Sequence, residues 1–173
     1  NLVDLISAGW KHTLTWQTTD PDQASVEDLL LAPIAYLNGH DAPVLTARAK
    51  ETLRAFIDQG GFLIAEACCG DERFDRGFRA LIRELFPEAG MELRPFDDSH
   101  AVWRAYHTLS PDIHPLWGLE RGCRTSVIYT PKDLSCYWNQ MASNPAHASV
   151  IKAARIGRNI IDYATGRELP ADM

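Results

Sequence analysis

The apolar positions along this chain alternate between a helical period near 3.6 and short unbroken runs, and the switches mark out helices and strands in turn. Leu2, Leu5, Ile6 and Gly9 share one helical face, predicting a short helix over 2–10. The segment TLTWQ, 13–17, alternates and is rich in β-formers, so it predicts a strand. Polar residues 18–23, with Asp20-Pro21, form a loop. A short helix over 26–31 leads into a strand over 34–37, which stops at Asn38-Gly39-His40-Asp41, four residues typical of turns.

Thr46 is positioned to cap the next helix, whose inner face carries Ala49, Leu53, Phe56 and Ile57, and Gly60-Gly61 ends it. Residues 62–67 are nearly all apolar, the pattern of a strand covered on both faces. A helix over 73–86 buries Phe74, Phe78, Leu81, Ile82 and Leu85, turns Arg73, Arg76, Arg79 and Arg83 to water, and is stopped by Pro87. Residues 91–94 predict another strand. Residues 95–121 are irregular, with Pro111, Pro115 and three histidines, and such length favours a binding or lid role beside the strand ends. TSVIYT, 125–130, is a strand ended by Pro131. A last helix over 148–164 buries Val150, Ala154, Gly157, Ile161 and Ala164, with Gly166 as its left-handed C-terminal stop.

This alternation predicts one α/β domain over 1–173, three-layered and flavodoxin-like, with a mainly parallel sheet. The 173 residues suffice for a single substantial core. A net charge of −6 and a pI near 5.4 argue against nucleic-acid binding. No apolar run approaches the roughly 18 residues of a membrane span, so no membrane contact by this domain is expected. The four cysteines lack the spacing of a disulfide framework, and the adjacent pair Cys68-Cys69 is poorly placed to bond to itself, so reduced thiols are expected.

The chemistry concentrates where strands end. In open parallel sheets ligands bind beyond the carboxyl ends of the strands, which groups Asn38, Gly39 and His40 with Glu66, Cys68, Cys69 and Gly70, and with Lys132, Asp133 and Cys136. Cys68, at a strand-to-helix turn, lies near free amides and a helix N-terminus, both of which favour thiolate. Gly70 permits the tight turn, His40 is a candidate base, and the Gly39 or His40 amide is a candidate oxyanion donor. Against this stand two other readings: small buried thiols with no chemistry, and a zinc set of Cys68, Cys69, Cys136 and His40, which lacks any CxxC or HxxxH spacing. Glu66 in an apolar strand needs a partner, with Arg73 or Arg76 as candidates. His100, His107 and His114, among Trp103, Tyr106 and Trp117, read as a satellite core or as a lid.

The linked segments "APIAYLNGHDAP", "LRAFIDQGGFLIAEACCG", "FDRGFRALIRELFP" and "YTPKDLSCYW" resemble the bacterial family catalogued as domain of unknown function 4159, over about residues 1–168. That family is identified as a member of the class I glutamine amidotransferase-like superfamily, whose flavodoxin-like fold carries a G-x-C-x-G nucleophile elbow. The resemblance places Glu66-Ala67-Cys68-Cys69-Gly70 at that elbow, Cys68 at the nucleophile position, and Asn38-Gly39-His40 at the oxyanion turn. Glu66 replaces the first glycine, and the late His-Pro-Glu of amidotransferases is absent. The resemblance also implies that the first sheet strand precedes Asn1, so that the chain is a piece of a longer protein. The leading expectation is a non-catalytic module for an unknown protein or small-molecule partner, without cofactor or metal. The alternative is a cysteine hydrolase or amidase using Cys68 and His40, and the third is a metal site at the strand ends.

Overall fold

The computed structural model describes residues 2–9 and 14–166. Its elements are α1 (Leu2–Gly9), α2 (Val26–Leu30), β1 (Ile34–Gly39), α3 (Ala47–Asp58), β2 (Phe62–Ala67), α4 (Glu72–Leu85), β3 (Arg94–Pro95), β4 (Trp117–Arg121), β5 (Arg124–Thr130), α5 (Ser135–Asn139) and α6 (Ala148–Ala164). Short 3-10 turns occupy Cys68–Gly70, Ala101–Arg104 and Pro111–Ile113. The chain packs as two units. The larger takes residues 19–96 and 115–132, and the smaller takes the described parts of 1–18, 97–114 and 133–173.

The larger unit is an α/β sheet structure with strand order β1-β2-β5-β4-β3. Strands β1, β2 and β5 run parallel, whereas β4 is antiparallel to both β5 and β3. The sheet is therefore mixed, where the helix–strand alternation predicted a mainly parallel one. The difference comes from residues 117–121, read from sequence as irregular, which form β4. A turn containing Gly122 at φ 63° joins Arg121 to its cross-strand partner Arg124, and so short a connection can only link antiparallel neighbours. Gly118 is required on β4 because Phe96 lies over it: a Cβ there would fall 2.2 Å from the ring.

Every residue of β2 is buried. Leu63, Ala65 and Ala67 face a core shared with Val127 and Tyr129 of β5, Phe56 and Ile57 of α3, and Phe74, Phe78, Leu81, Ile82 and Leu85 of α4. The helical periodicity of α3 and α4 thus predicted the right buried faces, although Arg79, expected in water, is half-buried. Thr46 caps α3 by accepting the Ala49 N–H, and Ser25 and Asp28 form a reciprocal capping box on α2. Arg79 lies over the Trp117 ring at 4.2 Å and donates to Asp75, which also accepts the Tyr129 hydroxyl at 2.7 Å. Burial, then the bond to Asp75, pushes the Tyr129 phenol far above its ordinary range.

In the smaller unit α6 packs against α1, α5 and the 101–104 turn. Gly157 is needed at this crossing, since a Cβ would meet Leu2 at 2.8 Å and Trp138 at 2.9 Å. Buried Asn159 accepts from the His107 N–H and donates to the carbonyls of Val102 and His107, so one side chain ties the 102–107 segment to α6. Two strand expectations need correction. Residues 14–17 form no strand: the Leu14 amide donates to Ser7 Oγ, and alternation without a neighbouring strand satisfies no ladder. Thr13 lies outside the described residues. The strand expected at 91–94 shrinks to Arg94–Pro95, because Gly90 at φ 86° turns the chain just before it. No helix among the described residues is long and apolar enough to cross a membrane.

Candidate functional site

Parallel pairing sets the carboxyl ends of β1, β2 and β5 side by side. Asn38 is opposite Glu66, Glu66 is opposite Thr130, and Gly39 is opposite Ala67. One polar row, Asn38-Glu66-Thr130, therefore crosses the strand ends on a single face, exposed at Asn38 and buried at Glu66 and Thr130. Thr130 closes its strand by accepting the Lys132 N–H at 3.1 Å and donating to the Lys132 carbonyl. Arg73 and Arg76, the candidate partners for Glu66, bond to Asp41, Asp71 and Glu72.

After Ala67 the backbone tightens into the Cys68–Gly70 turn. Cys69 adopts φ 56°, ψ 14°, and it is the non-glycine residue with positive φ among the described residues; Gly70 follows at φ 70°. A left-handed conformation costs an ordinary residue roughly 1–2 kcal/mol, so the chain carries strain at the second thiol, one residue beyond the position that the elbow motif assigns to the nucleophile. On an extended strand, neighbouring side chains diverge to opposite faces. The left-handed residue cancels that divergence, and the Cys68 and Cys69 sulfurs lie within 4.8 Å of each other and of an imidazole nitrogen of His40. Cys68 is half-buried, while Cys69 and His40 are exposed. Cys68, Cys69, Cys123 and Cys136 form no disulfide.

Three features of α4 hold His40 in this position. Gly39 lies against Phe74, where a Cβ would sit 3.2 Å from the ring. Gly77 receives the following loop: a Cβ there would be 2.4 Å from Ala42 Cβ and 2.7 Å from Ala42 Cα. Asp41 pairs with Arg73 at 2.6 Å, an exposed contact that adds little energy but orients the loop. Asp71 caps α4 by accepting the Arg73 N–H and also takes the Arg73 guanidinium. The Arg73 side chain, then its amide, hold the Asp71 carboxyl down at about 2, with a smaller contribution from His40. Sequence reasoning missed Gly77, although a glycine inside a strongly amphipathic helix, costing about 1 kcal/mol relative to alanine, was the available signal.

The larger unit thus brings His40, Cys68 and Cys69 together, with Asn38, Gly39, Glu66 and Gly70 on the same strand ends. Asp133 and Cys136 belong to the smaller unit, where the Cys136 N–H at the start of α5 donates to the Asp133 carboxylate at 3.3 Å. The histidines of the irregular segment are part of the smaller unit's own packing. His100 Nδ1 accepts the Val102 N–H, and its ring lies 5.1 Å from that of Tyr163. His107 meets Tyr106 edge-on, and burial, then Arg155 and Arg158, push its titration down. His114 is buried. A separate apolar cavity of about 140 Å³, lined by Leu29, Ala35, Leu37, Leu45 and Leu53, contains no acid, base or thiol.

The structure is α/β with a mixed sheet, and His40, Cys68 and Cys69 meet at the carboxyl ends of β1 and β2. The chain belongs to the family described as Domain of unknown function (DUF4159), whose sequence model matches residues 1–165. No curated protein matches it.

Proposed function

We propose that the strand-end cluster is a thiol-dependent acyl-transfer site, a hydrolase or amidase of the class I glutamine amidotransferase-like type on a flavodoxin-like variant of the fold. The observation that carries this reading is the approach of an imidazole nitrogen of His40 to within 4.8 Å of the Cys68 sulfur, since catalytic hydrogen bonds are often long without substrate and tighten when it binds. In the proposed reaction His40 takes the Cys68 thiol proton as sulfur attacks a carbonyl carbon. The amides of the turn after Cys68, with that of Gly39 or His40, stabilise the oxyanion. His40 then passes the proton to the departing amine, leaving a thioester that water hydrolyses with His40 again as base. Asn38 lies exposed at the edge where a polar amide substrate would lie.

A second reading, a non-catalytic pocket for a small molecule or protein, is favoured by one feature. Asp71, the carboxylate coupled to His40, commits both oxygens to Arg73 and so does not orient the ring as a triad acid would. Iodoacetamide labelling near neutral pH, read by peptide mass spectrometry, separates the two. Acyl transfer requires Cys68 to label selectively, and His40→Ala to remove that selectivity. Slow, even labelling of all four cysteines in both proteins leaves the non-catalytic pocket.

A further inference from the structure

The acyl-transfer reading uses one thiol and one imidazole, and leaves unexplained why a second, strained thiol is held beside them. We infer that His40, Cys68 and Cys69 form a three-ligand site for zinc, with the fourth position open to solvent. Two thiolates and an imidazole are a borderline-soft donor set suited to zinc. Tetrahedral coordination, with Zn–S of about 2.3 Å and Zn–N of about 2.0–2.1 Å, requires donor atoms about 3.6–3.8 Å apart. The three donors already lie within 4.8 Å of one another, so side-chain rotation of about 1 Å completes the set. The backbone supplies the rest. Adjacent cysteines on a regular strand cannot share an ion, and the left-handed turn at Cys69 is the device that lets these two do so.

The exposed flank of the cluster, formed by Cys69 and His40, gives the ion an entry path and leaves the fourth position to water or a ligand atom. Three protein ligands plus an open position is the arrangement of catalytic and regulatory zinc, not of closed structural zinc. Binding releases the two thiol protons, so affinity rises with pH. Insofar as it rests on the acyl-transfer reading, the same ion commits the Cys68 thiolate and silences the nucleophile.

The test is a cobalt(II) titration of the chelator-treated full chain, followed by displacement with zinc. The expected result is thiolate-to-cobalt charge-transfer absorption with tetrahedral visible bands, saturating near one equivalent and abolished by zinc. Cys69→Ser and His40→Ala should each weaken binding by about 100-fold, at the upper end of the 10–100-fold that even outer-shell changes cost. Cys123→Ser, at the β4–β5 turn, should leave it unchanged. Absence of the charge-transfer band overturns the inference, as does a band that persists with equal affinity in Cys69→Ser. Iodoacetamide labelling of the metal-free protein distinguishes the two proposals. Selective Cys68 labelling without cobalt binding overturns the metal site alone, whereas cobalt binding without selective labelling supports the site and removes the acyl-transfer reading.

Discussion

Replacing Gly77 with alanine probes how the helix builds the site. On helix propensity alone the change stabilises α4 by about 1 kcal/mol. The structure predicts the opposite sign. A Cβ on residue 77 would fall 2.4 Å from Ala42 Cβ, 2.7 Å from Ala42 Cα and 3.0 Å from Pro43 Cδ. Carbon atoms pack at about 3.5–4.0 Å, so the 40–43 loop must retreat by roughly 1 Å, and the obstacle includes backbone that cannot swing aside. Overpacking of this kind costs about 1–3 kcal/mol. Net of the propensity gain, Gly77→Ala should destabilise the protein by about 0–2 kcal/mol in urea unfolding. The larger effect falls on the site, because Ala42 lies two residues from His40. The loop's retreat should draw the imidazole away from Cys68 and reduce both selective alkylation and cobalt affinity. Arg76→Ala, one position away with an exposed side chain, is the control and should change stability by no more than about 0.5 kcal/mol. A Gly77→Ala protein that is about 1 kcal/mol more stable, with unaltered Cys68 reactivity, would refute the argument that this glycine seats the loop.

Three further outcomes are expected. Cys69→Gly relieves the left-handed strain and should stabilise the fold by about 1 kcal/mol, raising Tm by about 2–4 °C while abolishing cobalt binding; a lower Tm would show that the thiol's contacts outweigh the strain. Asp71 has its carboxyl lowered from 3.8 to about 2, so the stability it contributes is complete above pH 3.8 and is lost as pH falls through about 2. Asp71→Asn, which keeps a capping oxygen, should therefore flatten the acid limb of a pH–stability curve in that window, and an unchanged limb would assign the acid sensitivity to other carboxylates. Asn159→Ala removes three hydrogen bonds from a buried side chain and should cost about 2–4 kcal/mol, because the buried backbone groups lose their partners. Amide exchange of His107 should accelerate accordingly, and unchanged protection there would count against the staple.

Much of the fold was legible because it is written in local periodicity. The faces of α3 and α4, the doubly buried β2, the Thr46 cap and the Gly166 stop at φ 63° all follow from spacing and from single-residue conformational preference. The strand-end rule also gathered His40, Cys68 and Cys69 into one neighbourhood from two parallel strands alone. What local pattern could not carry was pairing. Residues 14–17 alternate as well as a strand does but have no ladder, whereas 117–121, broken by Gly118 and closely preceded by Pro115, form β4 because β5 lies alongside. Strand formation depends on a partner outside the segment, and its cost and reward are not encoded in the segment itself.

The same division runs through the site. Sequence alone determined that two thiols, an imidazole and a buried carboxylate stand at strand ends in an acidic α/β protein. It also offered no CxxC or HxxxH spacing for a shared ion. Only the tertiary structure put the two sulfurs and an imidazole nitrogen of His40 within 4.8 Å of one another. The left-handed turn at Cys69 converges the sulfurs, and the close seat of Ala42 on Gly77 brings His40 to them. The second follows from how α4 packs against the end of β1, a contact between segments about 35 residues apart that no local preference specifies.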